Sequence, residues 1–134
     1  MIFAFGSQEQ VDSKTYFLKN SNCSVIDGDL NLNEQMELIN DFKVFISMDS
    51  ANMHLASLTS TKVVSIWGPT HPFLGFRPLF NEEFIVQLSN EECTERPISI
   101  YGKIKKSDEV KAEQSMSRID PERVIEKINL AINQ

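Results

Sequence analysis

The sequence has few of the features that mark an exported, membrane-spanning or metal-binding protein. It holds two cysteines, Cys23 and Cys93, which are too few and too far apart for a disulfide framework or a Cys-rich metal site. No apolar run approaches the ~20 residues that a membrane span requires, and the first residues do not resemble a signal peptide. No GxGxxG or GxxxxGK[ST] motif and no metal-spaced His/Asp/Glu set occurs. We therefore expect a protein that is not exported, with reduced cysteines and no transmembrane segment.

The chain is also short of positive charge. It carries 13 basic and 19 acidic residues, and the basic residues are scattered along the chain instead of forming a stripe. This distribution argues against nucleic acid or an anionic membrane as a partner. With 134 residues, 41% of them apolar, the chain fits one domain with a real core but is too short for a typical two-domain enzyme.

Short apolar runs alternate with amphipathic segments along the sequence. The predicted strands are Ile2–Gly6, Cys23–Gly28, Lys43–Met48, Lys62–Gly68 and Phe84–Ser89. The predicted helices lie in Ser7–Asn20, Leu32–Phe42, Ala51–Leu58, Ser107–Met116 and Asp120–Asn133. A long ordered loop is predicted after Gly68. This alternation predicts an α/β fold with a mainly parallel sheet and helices on both faces.

Cap residues and apolar spacing define several helices more closely. Asn31 and Glu34 have the spacing of a capping box, and Asp120 followed by Pro121 is a typical helix start. We expect three helix faces to pack on the sheet or on neighbouring helices, and three methionines to fill the core. The faces are Leu32, Met36 and Ile39; Ala51, Leu55 and Leu58; and Val124, Ile128 and Ala131; the methionines are Met36, Met48 and Met53.

A polar segment follows the third predicted strand, where ligands bind in open α/β sheets. Free N–H groups at the start of the next helix attract phosphate groups. Ser50 could add a hydroxyl and Asn52 an amide, while Ala51 lets a ligand approach the backbone, and His54 follows in the same turn. Asp49 either caps the helix, the role that we favour, or accepts a hydrogen bond from a sugar hydroxyl. An ordinary capped helix without a ligand explains the segment equally well.

A second polar segment, "WGPTHP", follows the fourth predicted strand and should lie beside the first. Gly68, Thr70 and His71 could donate hydrogen bonds to the same ligand, although a proline-stiffened turn is an equally simple interpretation. The only two histidines of the chain, His54 and His71, fall in these two segments. That coincidence favours a shared site.

The stretch "MDSANMHLASLTSTKVVSIWGPTHPFLGF" resembles the C-terminal domain of ADP-heptose:lipopolysaccharide heptosyltransferases, which form glycosyltransferase family 9. The branch that it resembles most is found in Bacteroidetes. The resemblance implies the C-terminal half of a GT-B glycosyltransferase, in which two Rossmann-like domains face each other across a cleft. Residues 1–134 would form one nucleotide-sugar-binding domain that is truncated at its N-terminal edge.

The resemblance also implies roles for individual residues. Carried over by position, five residues match the family's loop and helix start around the diphosphate and sugar: Asp49, Ser50, Ala51, Asn52 and His54. Leu30 matches a residue that lines the adenine, and Gly68, Pro69 and Thr70 match the neighbouring loop. The resemblance places the catalytic base in the missing N-terminal domain, so no catalytic residue is expected in this chain.

The implied reaction is an inverting transfer of heptose from ADP-heptose to a lipopolysaccharide-core sugar, without a metal or other cofactor. The implied partners are the nucleotide sugar, the missing N-terminal domain and, through that domain, the lipopolysaccharide acceptor. We expect the chain alone to be inactive and cytoplasmic, and leave open whether the full-length enzyme lies at the inner membrane. The alternative is a stand-alone, non-catalytic α/β binding or interaction domain.

Overall fold

The structure is a computed structural model that describes residues 2–3, 12, 14–26 and 30–134. The chain divides into two compact units, Met1–Glu34 and Gln35–Gln134. Among the described residues, each unit contains its own parallel sheet, with two strands in the first unit and three in the second.

The first unit pairs two short strands. Strand β1 (Ile2–Phe3) lies parallel to β2 (Val25–Ile26), with Ile2 opposite Val25. Residues 14–17 between them are helical, as predicted. The remainder of the first predicted strand, part of the first predicted helix and residues 27–28 lie outside the described residues.

The second unit carries the rest of the alternating pattern, and α1 crosses the boundary between the units. The elements are α1 (Leu32–Asn40), β3 (Val44–Met48), α2 (Ala51–Ala56), β4 (Lys62–Trp67), β5 (Ile85–Gln87), α3 (Glu109–Ser117) and α4 (Pro121–Ile132). Short 3-10 helices occupy Pro72–Leu74, Glu82–Phe84 and Lys106–Asp108. Strands β3, β4 and β5 are parallel and adjacent in that order. The predicted α/β class is confirmed.

Strand β4 is the centre of this sheet. Val63, Val64, Ser65 and Trp67 are fully buried, so both faces of the strand are covered. The Trp67 indole Nε1–H donates to Ser65 Oγ at 2.9 Å, which satisfies both buried polar groups on one face. A near-continuous apolar run is what such a doubly covered parallel strand requires.

The last helix closes one face of the sheet. Ala131 is buried with Val64, Phe84 and other apolar residues, and Val124 and Ile128 pack against the same cluster. The predicted inward face of this helix is therefore confirmed. Burial of apolar side chains of this size contributes about 1.5–3 kcal/mol each.

Helices α1 and α4 begin as their sequences predict. Asn31 Oδ1 accepts from the Glu34 N–H at 3.2 Å, while Glu34 Oε2 accepts from the Asn31 N–H at 2.8 Å. Asp120 Oδ1 accepts from the Glu122 N–H at 3.0 Å, at the start of α4. Each cap satisfies backbone N–H groups that have no partner within the helix.

The predicted inward face of α2 is wrong. Met53 and Ala56 are its buried residues, whereas Ala51 and Leu58 are exposed. The helix has only six residues and packs its Met53 side against the sheet, so the predicted face with Ala51 turns outward. Met48, also predicted as core, is 54% exposed because it shares the open face of β3 with Ile46.

Candidate functional site

The carboxyl ends of β3 and β4 lie side by side. The strands are parallel, and Met48 at the end of β3 lies opposite Ile66 of β4. The segments that begin at Asp49 and Gly68 therefore leave the same edge of the sheet. This is the edge at which open α/β sheets bind ligands.

Ser50, not Asp49, caps helix α2. Ser50 has extended backbone angles, φ −155° and ψ 165°, and its Oγ accepts from the Met53 N–H at 3.4 Å. The hydroxyl of Ser47 lies 3.0 Å from the same Oγ and links the cap to the end of β3. The favoured role of Asp49 as the cap is therefore wrong, because Asp49 lies one residue too early in the chain. The half-buried Asp49 carboxylate is left for another role.

The Ser50 cap leaves the first two N–H groups of α2 open. Ser50 satisfies the third helical residue, and within residues 30–134 the N–H groups of Ala51 and Asn52 have no hydrogen-bond acceptor. Ala51 is exposed, while the Asn52 and His54 side chains are half-buried. These groups could donate hydrogen bonds to an anion at the end of β3.

The loop after β4, residues 68–70, is more deeply buried and turns its carbonyl groups inward. Carbonyl oxygens of Gly68 and Thr70 accept from Arg96 Nε and Nη2 at 2.6 and 2.8 Å. The Pro69 oxygen accepts from the backbone N–H groups of residues 98 and 99, at 2.8 and 3.1 Å. Distant parts of the chain therefore fix this loop.

Gly68 packs closely against helix α3. A Cβ at this position would lie 2.7 Å from Met116 Cε and 3.3 Å from Met116 Cβ of helix α3. A larger residue at this position would force the end of the Met116 side chain to move and would press on its Cβ. This contact explains the glycine without a ligand, an explanation that the sequence did not suggest.

His71 has a structural role that uses one of its ring nitrogens. Nδ1 accepts from the Phe73 N–H at 3.2 Å and caps the Pro72–Leu74 helix, and the two rings lie 5.0 Å apart. Burial, and next the positive charge of Arg96, lower the pKa of His71 from its ordinary value. The neutral ring retains one N–H at Nε2 as a donor.

Leu30, the predicted adenine contact, belongs to the first unit and is half-buried. The other seven predicted site residues belong to the second unit: Asp49, Ser50, Ala51, Asn52, His54, Gly68 and Thr70.

Sequence reasoning missed Arg96. No role was assigned to this arginine from the sequence, yet its guanidinium connects the ends of β4 and β5. No local pattern reveals this, because its partners lie 8 to 28 residues away.

Several other features bear on the chemistry. In the described part of the chain, no cluster of three or more His, Cys, Asp or Glu side chains could hold a metal ion. None of the helices described there is long and apolar enough to cross a membrane. A concavity of about 130 Å³ contains none of the predicted site residues, and is lined by Glu92, Cys93, Thr94, Glu95, Lys111, Gln114, Ser115 and Arg118.

Comparison with known proteins finds heptosyltransferases similar to this chain. Lipopolysaccharide heptosyltransferase 2 of Escherichia coli K12 is 29% identical over 113 residues, which cover 84% of this chain and 30% of that protein. Lipooligosaccharide heptosyltransferase 2 of Haemophilus influenzae is 32% identical over 108 residues, which cover 80% of this chain and 29% of that protein. The chain thus spans under a third of the length of these curated relatives. No solved structure matches it.

The match to a protein family covers most of the chain. Residues 3–103 match the family described as "Glycosyltransferase family 9 (heptosyltransferase)". That range includes both strand-end segments and Arg96. The chain therefore belongs to glycosyltransferase family 9, the heptosyltransferase family.

Proposed function

We propose that this chain is the donor-binding part of a heptosyltransferase that transfers heptose from ADP-heptose to a lipopolysaccharide-core sugar. Family membership supports the reaction class, and the relatives' names support heptose and lipopolysaccharide. Because the chain spans under a third of those relatives, transfer would require the acceptor-binding domain and its catalytic base. That domain would form the second half of a GT-B enzyme, and residues 1–134 would form its nucleotide-sugar-binding domain.

The observation that supports this proposal most is the pair of N–H groups at the start of α2. Ala51 and Asn52 have N–H groups without acceptors in residues 30–134, at the sheet edge where ligands bind. In the transfer, the acceptor hydroxyl would give its proton to the base of the acceptor-binding domain and its oxygen would bond to the anomeric carbon, while the bond from that carbon to the diphosphate breaks. ADP leaves with the electron pair, and preorganised donors stabilise its growing negative charge.

The side chains of this segment would have different tasks. Ser50 orients the start of α2, and its hydroxyl proton would turn from Ser47 to a phosphate oxygen when the donor binds. His54 would donate to the diphosphate, and Asp49 would accept from a sugar hydroxyl, because a carboxylate repels phosphate. Leu30 would line the adenine. Neither a metal nor another cofactor has a role in this scheme, which would operate in the cytoplasm.

The substitution Ser50→Asp tests the anion site without removing the cap, because Asp and Ser are equally good N-cap residues. A new carboxylate at this position should repel the diphosphate. We expect the affinity for ADP to fall at least about tenfold, about 1.4 kcal/mol, with little change in the free energy of unfolding. Calorimetry or NMR titration at up to millimolar ADP would measure the affinity.

Asn40→Asp is the matched control for the added charge. Asn40 Oδ1 accepts from the Ser60 N–H and hydroxyl at 3.1 and 2.8 Å, and a carboxylate oxygen can accept both bonds. Asn40 is the last residue of α1 and lies near the amino end of β4, so ADP affinity should be unchanged. If both variants bind ADP like the original chain, or the original chain binds no ADP at millimolar concentration, the non-catalytic interaction domain becomes the better interpretation.

A further inference from the structure

Arg96 is a buried cation that connects the carboxyl ends of two strands. Its side chain is only 9% exposed and makes four hydrogen bonds. The acceptors are the carbonyl oxygens of Gly68 at 2.6 Å, Leu88 at 2.8 Å and Thr70 at 2.8 Å, and Gln87 Oε1 at 3.1 Å. All four acceptors are uncharged.

No carboxylate in the described part of the chain is shown paired with this charge. The ion pairs found there are Arg77–Glu82, Lys111–Glu95 and Arg123–Glu92. Buried charges are normally paired, since removing them from water is costly. Burial lowers the pKa of Arg96, yet a guanidinium stays protonated in proteins. The edge of the sheet therefore holds positive charge that carbonyl dipoles solvate but do not neutralise.

The inward carbonyl groups determine where the N–H groups of the loop point. In a trans peptide the N–H is directed opposite to the C=O. The Pro69 carbonyl points to residues 98–99, so the N–H of the next residue, Thr70, points away from them. In the same way, the Thr70 carbonyl points to Arg96, so the His71 N–H points away from Arg96. Neither N–H has an acceptor among residues 30–134.

The positive charge of Arg96 also acts on His71, the residue that follows the loop. Its charge is the second cause, after burial, of the lowered pKa of His71. His71 directly follows the loop and is only half-buried. The positive charge of Arg96 disfavours a second proton on the His71 imidazole. The same charge would attract an anion near the N–H groups of Thr70 and His71.

We infer that Arg96 is a positioning residue for the donor diphosphate: it holds the Gly68–Thr70 loop so that the N–H groups of Thr70 and His71 face an anionic oxygen, and its unneutralised charge lies behind them. This inference rests on the proposed function for the identity of the ligand. In this inference Arg96, which lies outside the two predicted segments, makes the second loop an anion site.

Three probes separate charge from general structural damage: inorganic pyrophosphate, ADP and adenosine. Arg96→Gln removes the charge and keeps a donor only near the position of Nε, whereas Arg96→Lys keeps the charge with fewer hydrogen bonds. We expect Arg96→Gln to weaken pyrophosphate and ADP about tenfold and adenosine less than twofold. Arg96→Lys should recover most of the loss. Lys43→Gln, an exposed position just before β3, removes the same charge at the opposite edge and should change none of the three affinities.

The outcomes distinguish this inference from the proposed function. If the original chain binds pyrophosphate in an Arg96-dependent way but shows no preference for ADP, the inference holds and the heptosyltransferase proposal fails. If Arg96→Gln weakens ADP and adenosine equally, or leaves pyrophosphate affinity unchanged, Arg96 has only a structural role. Should the variants not fold, the original chain decides: pyrophosphate must shift the amide NMR signals of Thr70 and His71, and unmoved signals overturn the inference.

Discussion

The segments that follow β3 and β4 leave the same sheet edge but are held in different ways. The first is fixed by neighbours in sequence, since Ser50 contacts Ser47 and the Met53 N–H. The second is fixed by Arg96 and residues 98–99, which lie more than 25 residues further along the chain. The first also exposes helix-start N–H groups, whereas the second is buried.

This difference separates two ways of building an anion site. A local cap can be changed at a cost of about 1 kcal/mol, because water and neighbouring groups replace it easily. A buried network has no such replacement, since each unsatisfied carbonyl retains its full desolvation cost. We therefore expect substitutions that disturb the second loop to cost more stability than substitutions in the first, although both loops contact the ligand in our account.

The largest expected effect is that of Arg96→Met. The substitution leaves the buried carbonyl groups of Gly68, Thr70 and Leu88 without donors, at about 1–3 kcal/mol each. We expect the free energy of unfolding to fall by ~3 kcal/mol or more in urea denaturation. Arg118→Met, at an exposed position, is the control and should change it by under about 0.5 kcal/mol. A loss below about 1 kcal/mol for Arg96→Met would contradict the comparison.

Gly68→Val should have the next largest effect. The new side chain would overlap Met116, and overpacking costs about 1–3 kcal/mol. Combining it with Met116→Ala should recover part of the loss, with a coupling energy of at least about 0.5 kcal/mol in a double-mutant cycle. Strictly additive losses would mean that the two positions do not press on each other.

Ser50→Ala should cost about 1 kcal/mol through loss of the α2 cap. Asp120→Ala is a matched cap removal at the start of α4 and should cost a similar amount. Only Ser50→Ala should also weaken ADP binding, because only that cap adjoins the proposed site. Equal ADP affinity in both variants would reduce Ser50 to an ordinary cap.

Substitution of Glu92, which lies outside both loops, should have the smallest effect. Its hydrogen bond with Arg123, followed by that with the Ser89 N–H, lowers the pKa of Glu92 to about 2 from 4.5. A carboxyl group with a lowered pKa in the folded state stabilises above pH 4.5 and loses this contribution as the pH falls towards 2.

Acid denaturation compares Glu92→Gln with the original chain in that window. The original chain should lose stability more steeply than the variant between pH 4.5 and 2. The control Glu113→Gln, at an exposed position of α3, should keep the original slope. Equal slopes for Glu92→Gln and the original chain would show that this partly exposed ion pair contributes nothing measurable.

The features that the sequence predicts correctly depend on local contacts or on periodic spacing, like the contacts of the first loop. The capping box at Asn31 and Glu34, the Asp120 cap and the parallel strands of the second unit are local or periodic, and sequence reasoning found them. Asp49 was mistaken for the cap because two adjacent residues were both good caps, and only the backbone angles of Ser50 decide between them.

Contacts across the fold could not be predicted in this way. Arg96 and Met116 act on Gly68 from 28 and 48 residues away, and neither spacing nor composition marks such pairs. The prediction of the inward side of α2 was wrong for a related reason, since six residues are too few to define a face without knowledge of the sheet.

The most direct test of the central claim, that both loops bind one anionic ligand, is an NMR titration of the chain with ADP. The backbone amide signals of Asn52, after β3, and Thr70, after β4, are followed together. Our account predicts that both signals move with the same dissociation constant. Movement at one loop only, or two clearly different constants, would contradict a single shared site.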